Sequence, residues 1–162
     1  MMVGKDYENS DWWKSADNLV RELMAEAYIL LERETKSPDG LHDYSFVVFP
    51  AAKAYEGFLK RIFLDLGLIG KLQYYGEHFR IGRALSPSLP KRYRSGWVFG
   101  KLVGVCGGDE LPLKMWGVWK KARNRIFHFF PDHREFINLN EAGILVNEIA
   151  QIMDETLAGC KR

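Results

Sequence analysis

The sequence predicts an all-α protein, a bundle of four to five helices that forms one domain over residues 1–162. Three observations predict this fold class. Apolar residues recur at helical spacing in several long segments. Segments rich in glycine and proline separate them. The length of 162 residues, with 47% hydrophobic and 27% charged residues, is typical of one globular domain and excludes a mostly disordered chain.

The first helix is predicted over about residues 11–35. Ser10 or Asp11 can accept a hydrogen bond from the free amides of its first turn, and the turn residues at 37–40 end it. Its apolar stripe consists of Trp12, Ala16, Leu19, Val20, Leu23, Met24, Ala27, Leu30 and Leu31.

The second helix is predicted from Ala51 to Leu66, with Gly67 as its terminator. The preceding residues 44–49 are aromatic and β-branched enough for a strand, but an isolated strand would have no partner in this chain. We therefore predict a helical turn or two that enters at Pro50 and kinks there.

Residues 68–108 are predicted to form an irregular insertion, because three glycines, two prolines and a basic run interrupt any period over residues 68–94. A short helix is expected at about residues 97–105. A long helix should follow from Pro112 to Phe130, where Pro131 stops it. The last helix is expected to begin after Asn138 or Asn140 and to end near Gly159.

The formal net charge of +2 indicates no strong global preference for nucleic acid. Cys106 and Cys160 lie far apart and form no CxxC pair, so we expect reduced thiols. The N-terminal residues do not resemble a signal peptide, and no apolar run approaches the roughly 20 residues of a membrane span. These features predict a cytoplasmic protein that does not enter a membrane.

The residues with the clearest chemical potential are Arg123, Asn124 and His128, near the end of the predicted fourth helix. On an α-helix, Asn124 and His128 share a face, and Arg123 lies about 140° from His128. Cleavage of RNA by its own 2′-OH requires a base, an acid and a cation that stabilises the phosphorane. Histidine and arginine supply these groups near neutral pH without a metal or a cofactor.

One histidine cannot act as base and acid in the same step. A two-fold axis beside this face would place the same patch of both protomers in one cleft. We therefore predict a homodimer with a composite site that contains Arg123 and His128 of each protomer.

The motif ArgAsnArgIlePheHis, placed before the last helix of a small helical bundle, resembles the signature of the HEPN superfamily (higher eukaryotes and prokaryotes nucleotide-binding domain). That resemblance covers most of the chain, and residues 68–108 form a longer insertion than the family suggests. It implies a metal-independent endoribonuclease that works at a dimer interface, as a toxin or phage-defence component with a possible antitoxin protein. Arg123, Asn124 and His128 correspond to the catalytic residues, and Glu56 on the second helix corresponds less closely to a supporting residue.

Other residues carry weaker hypotheses, each with an alternative. Lys120, Lys121 and Arg125 beside the motif could bind an RNA backbone, or they could form a solvated basic face. His133 is a candidate RNA contact, or an ordinary loop histidine. Glu56 could orient Arg123 or His128, or belong to an exposed salt-bridge row on its own helix. His42 and His78 have no carboxylate or thiol at ligand spacing, so no metal site is predicted.

Two other functional hypotheses keep the same fold. The domain could bind RNA, a nucleotide or a protein partner without cleaving anything, with its tryptophans at an interface. It could also be a helical subunit of a larger complex. His128 could also have no catalytic role and instead stabilise the C-terminal end of its helix through its charge.

Overall fold

In the computed structural model, which describes residues 5–37, 40–129, 131 and 136–161, the chain is helical and the described part contains no β-strand. The all-α fold class is thus confirmed. Its α-helices are α1 (Asp11–Ser15), α2 (Asn18–Lys36), α3 (Ser45–Asp65), α4 (Lys71–Tyr75), α5 (Ile81–Ala84), α6 (Phe99–Val105), α7 (Glu110–Trp119) and α8 (Leu139–Gly159). Short 3₁₀ helices lie at Lys5–Asn9 and Lys91–Tyr93, and a π-helical segment continues α7 over Lys120–Arg125. Of the α-helices, α2, α3, α7 and α8 have ten or more residues.

The predicted first helix is in fact two helices. The backbone is extended at Ala16 and Asp17, which separates α1 from α2. Asp17, rather than Ser10 or Asp11, provides the cap, because its carboxylate accepts a hydrogen bond of 2.9 Å from the amide of Val20. The amide of Trp12 donates to Asp154 Oδ1 at 2.7 Å, which fastens α1 to α8.

Helix α3 lies at the centre of the fold, packed against α2 on one side and α8 on the other. It begins at Ser45 and contains Pro50 in its interior, so the prediction of helical turns before Pro50 is confirmed. Asp43 Oδ1 accepts hydrogen bonds from the amide of Ser45 at 3.1 Å and from that of Ile137 at 3.3 Å. These bonds hold the start of α3 against the chain that leads into α8.

The predicted helix from Pro112 to Phe130 is shorter and less regular than expected. Helix α7 begins at Glu110, and from Lys120 to Arg125 its winding changes to the π type. The hydroxyl of Tyr55 on α3 donates to the carbonyl of Met115 at 3.2 Å, which fixes α7 against the central helix. Complete burial raises the pKa of this tyrosine.

Helix α8 begins after Asn138, one of the two residues predicted to cap it. The side chain of Asn138 accepts from the amide of Glu141 at 2.9 Å, and the carboxylate of Glu141 accepts from the amide of Asn138 at 2.8 Å. Two free amides of the first turn are thus satisfied reciprocally, so the choice between Asn138 and Asn140 is settled in favour of Asn138.

The prediction of reduced cysteines is wrong, because Cys106 and Cys160 form a disulfide. Their separation of 54 residues hid the pair in the sequence, and the packing of α7 against α8 brings the end of α6 to the end of α8. The bridge removes one of the two reasons for predicting a cytoplasmic protein. Within the described residues, no helix is both long and apolar enough to cross a membrane.

The region predicted as an irregular insertion contains α4, α5, a 3₁₀ turn and α6. Its middle part is tied together by two hydrogen bonds of 2.8 Å, from the amide of Val98 to the carbonyl of Ala84 and from the indole of Trp97 to the carbonyl of Ser86. Ile81 and Leu85 are buried in the main core, so α5 is anchored to the bundle.

Candidate functional site

A cleft of about 440 Å³ lies between α3, α5 and the C-terminal end of α7 with its π-helical continuation. It brings together the predicted catalytic residues and the predicted supporting glutamate. Its lining residues are Glu56, Arg80, Ile81, Gly82, Arg83, Trp119, Arg123, Asn124, Phe127 and His128.

Arg123 lies between an acidic and an aromatic neighbour. Its Nε is 3.9 Å from Glu56 Oε2, and its guanidinium carbon is 5.7 Å from the ring centre of Phe127. The arginine and glutamate side chains are 41% and 29% exposed. This long, partly solvated ion pair orients the guanidinium without neutralising it fully, so its charge remains available to an anion in the cleft. Of the two roles considered for Glu56, this contact favours the one in which it orients Arg123 over an exposed salt-bridge row on its own helix.

The part of the chain that carries Arg123 and His128 is less regular than the predicted helix. On a regular α-helix, residues five apart lie about 140° from each other. In the structure, Arg123 lies in the π-helical segment Lys120–Arg125, and His128 follows three residues after the end of that segment, in a turn. Arg123 and His128 line one cleft together with Asn124. His128 is exposed.

The far wall of the cleft carries two arginines that sequence reasoning missed. Arg80 and Arg83 flank Gly82 of α5, and both side chains are exposed. They lie in the insertion, where no helical period was evident. The available signal was a pair of arginines three residues apart around a glycine, which by itself resembles any solvated basic surface.

Close packing of Gly82 against Trp119 joins the two walls. A Cβ atom added at Gly82 would come within 3.1 Å of the indole Nε1 of Trp119. The tryptophan is buried, its ring centre lies 6.5 Å from that of Tyr55, and its Nε1 has no hydrogen-bond partner in the described structure. Trp119 is therefore a core residue that supports the cleft, not an exposed interface residue.

Three further predicted RNA contacts, which the structure describes, do not line this cleft. Lys120, Lys121 and Arg125 are exposed beside it, and Nζ of Lys121 lies 3.2 Å from the carboxylate of Glu148 on α8. His133 lies outside the described residues.

Charge and chemistry make the cleft suited to an anion. Its described lining contains three arginines and a histidine against a single glutamate. Arginine presents planar donors that match phosphate oxygens. In the part of the chain that the structure describes, no three His, Cys, Asp or Glu side chains are grouped as metal ligands would be.

Exposed aromatic side chains lie next to the cleft. Phe49 of α3 is 47% exposed, and its ring centre is 5.4 Å from that of Phe127 in an edge-to-face arrangement. Phe129 is 88% exposed immediately after His128. We name Phe46 and Phe49, which are exposed and lie one turn apart on α3, the aromatic patch.

Comparison of the chain with protein-family models, with curated proteins and with solved structures finds no match.

Proposed function

We propose that this protein is a metal-independent endoribonuclease that cleaves RNA by attack of the 2′-OH, in a site completed by a second copy of the chain. The single observation that carries the proposal is the presence of Arg123, Asn124 and His128 on the lining of one cleft. These are the residues on which the resemblance to the HEPN superfamily depends. The same resemblance implies a toxin or phage-defence role with an antitoxin protein as a possible partner.

In the proposed reaction, one His128 imidazole removes the proton of the 2′-OH. The 2′-oxygen forms a bond to phosphorus, and the guanidinium of Arg123 stabilises the negative charge of the phosphorane. The bond from phosphorus to the 5′-oxygen then breaks, and an imidazolium gives its proton to that oxygen. Asn124 positions the 2′-OH or a phosphate oxygen. The products are a 2′,3′-cyclic phosphate and a 5′-OH.

The need for two histidines requires a second protomer. Phe49 touches Phe127 of the cleft, so the aromatic patch adjoins the candidate site. Exposed aromatic residues are enriched at the centres of protein interfaces. A second copy on this patch would cover apolar surface and bring a second His128 to the cleft. The burial of exposed apolar surface and the supply of a second His128 thus favour the same face of the molecule as the dimer interface.

The proposal is tested by incubating the purified protein with total RNA in EDTA, followed by analysis of the product ends. The parent should cleave and leave cyclic phosphates, and His128→Ala should cleave about a hundred- to ten-thousand-fold more slowly. His78→Ala is the matched control, because His78 is an exposed histidine that does not line the cleft.

Cleavage by His128→Ala at the rate of the parent, or products with 5′-phosphate ends, would contradict the mechanism. A parent dimer that cleaves nothing would contradict the enzymatic proposal and favour the binding module.

A further inference from the structure

The wall opposite Arg123 is held rigidly. Helix α5 has only four residues, but Ile81 and Leu85 are 1% and 0% exposed and fix it in the core. Gly82 packs directly against Trp119 of α7, with no room for a larger side chain unless one of the two elements moves. The residues two positions before and one position after Gly82 therefore carry their side chains on a backbone that the core holds in place.

Those side chains are the cations Arg80 and Arg83. Arg80 Nη1 donates to the backbone carbonyl of Glu77, and Arg83 Nη2 lies 3.5 Å from the carbonyl of Tyr93, at the limit of a hydrogen bond. In residues 5–37, 40–129 and 136–161, neither guanidinium has a carboxylate within 4.0 Å. Glu56 is the one carboxylate among the described residues that line the cleft, and it already pairs with Arg123.

Two exposed cations that have no carboxylate partner among the described residues, in a cleft that a third arginine also lines, point to a ligand with more than one negative charge along its length. A cleft of about 440 Å³ has the size of a small-ligand site, whereas duplex RNA is recognised across surfaces that span many base pairs. A single nucleic acid strand meets both conditions, because it is narrow and carries one phosphate per nucleotide.

We infer that Arg80 and Arg83 bind the phosphates next to the scissile phosphodiester of single-stranded RNA, so that the insertion forms the substrate-holding wall of the site. The inference rests on the proposed function for the location of the scissile bond. Arg123 contacts the reacting phosphate, and the α5 arginines hold its neighbours. The strand is thereby fixed on both sides of the cleft, and its reacting 2′-OH is positioned by contacts outside the catalytic motif.

The test measures binding of a fluorescent single-stranded oligonucleotide with 2′-O-methyl riboses, which lacks the attacking hydroxyl and cannot be cleaved by this route. Affinity is measured by anisotropy over a series of salt concentrations. Each phosphate contact with single-stranded nucleic acid contributes about 0.7 to the slope of log affinity against log salt. The variant Arg80→Gln/Arg83→Gln should therefore lower the magnitude of the slope by about 1.4.

The matched control is Lys36→Gln/Arg61→Gln, which removes the same charge from exposed basic residues outside the insertion that do not line the cleft. Its slope should equal that of the parent. Arg80→Lys/Arg83→Lys provides a second variant, which retains both charges and should therefore keep the slope. Its affinity should be lower, because lysine cannot make the bidentate contact that arginine makes with a phosphate. Circular dichroism of every variant should match that of the parent.

An unchanged slope in Arg80→Gln/Arg83→Gln, an equal loss in the control, or no binding of the oligonucleotide by the parent would overturn the inference. Equal competition by duplex RNA would also overturn it. Cleavage of unmodified RNA is measured separately. If the parent cleaves RNA but the slope of log affinity against log salt is the same without Arg80 and Arg83, only the further inference is refuted. If the parent binds the oligonucleotide through Arg80 and Arg83 but does not cleave RNA, only the proposed ribonuclease activity is refuted.

Discussion

Arg123 and His128, five residues apart in the chain, line the same cleft. A regular α-helix would direct them to different sides, but Arg123 lies in the π-helical segment Lys120–Arg125 and His128 lies beyond it, in a turn that is no longer helical. Segments of π-helix are frequent at functional sites because they redirect side chains locally without disturbing the rest of a helix. Helix α7 remains regular up to Trp119, where it supports the core, and changes its winding where the motif begins.

Replacing Arg123 should affect catalysis much more than stability. Arg123→Gln is expected to lower kcat by about a hundred- to thousand-fold, because the phosphorane loses a charged donor. Its free energy of unfolding should change by less than about 1 kcal/mol, since the ion pair with Glu56 is long and partly exposed. Steady-state kinetics and urea denaturation measure the two effects.

Arg125→Gln is the matched comparison for Arg123→Gln on the same segment. Because Arg125 is a predicted RNA contact outside the cleft, its replacement should raise KM and leave kcat nearly unchanged. If both variants lowered kcat equally, the role assigned to Arg123 would be wrong.

Placing a charge in the aromatic patch should separate the protomers. Phe49→Asp is expected to shift the protein toward monomer in sedimentation equilibrium and to reduce cleavage in parallel, because an unpaired carboxylate would have to be buried in the interface. Leu72→Asp on α4 is the control, since Leu72 is 92% exposed and lies outside the patch. A Phe49→Asp protein that remained dimeric and active would place the interface elsewhere.

The disulfide should make a large contribution to stability. A disulfide between cysteines that are 54 positions apart closes a long loop and so lowers the entropy of the unfolded chain. Its loss in Cys106→Ser/Cys160→Ser should reduce the free energy of unfolding by about 4 kcal/mol. Chemical denaturation with and without reductant measures this difference, and the reduced parent should unfold like the double variant. Two reactive thiols per chain in denaturant without reductant would show that the bridge is absent.

Two helical glycines should respond oppositely to alanine. Gly104→Ala on α6 meets no atom within 4 Å and should raise the free energy of unfolding by about 0.5–1 kcal/mol through the loss of backbone freedom in the unfolded chain. Gly82→Ala places a methyl group 3.1 Å from the buried indole of Trp119 and should not gain this stability. Thermal unfolding compares the two variants, and an equal gain at both positions would mean that α5 is not held tightly against α7.

The sequence by itself determined the helical class and most helix positions, because amphipathic periods and caps are local properties. The period from Ala51 to Leu66 predicted α3, and Asn138 was one of the two predicted caps of α8. The same reasoning singled out Arg123, Asn124, His128 and Glu56, which the structure brings to one cleft. Local signals were sufficient for these elements because each depends on residues within one or two turns.

Only the tertiary structure decided what depends on contacts between distant segments. Asp17 caps α2 and so divides the predicted first helix, and Trp12 of the separate helix α1 donates to Asp154 on α8. Cys106 meets Cys160, and Arg80 and Arg83 line one cleft with Arg123, because packing of the core positions α5, α6 and the end of α8 around α7. Chain-distant pairs of this kind have no period or spacing in the sequence. They exist only once burial of the apolar stripes has set the distances between helices.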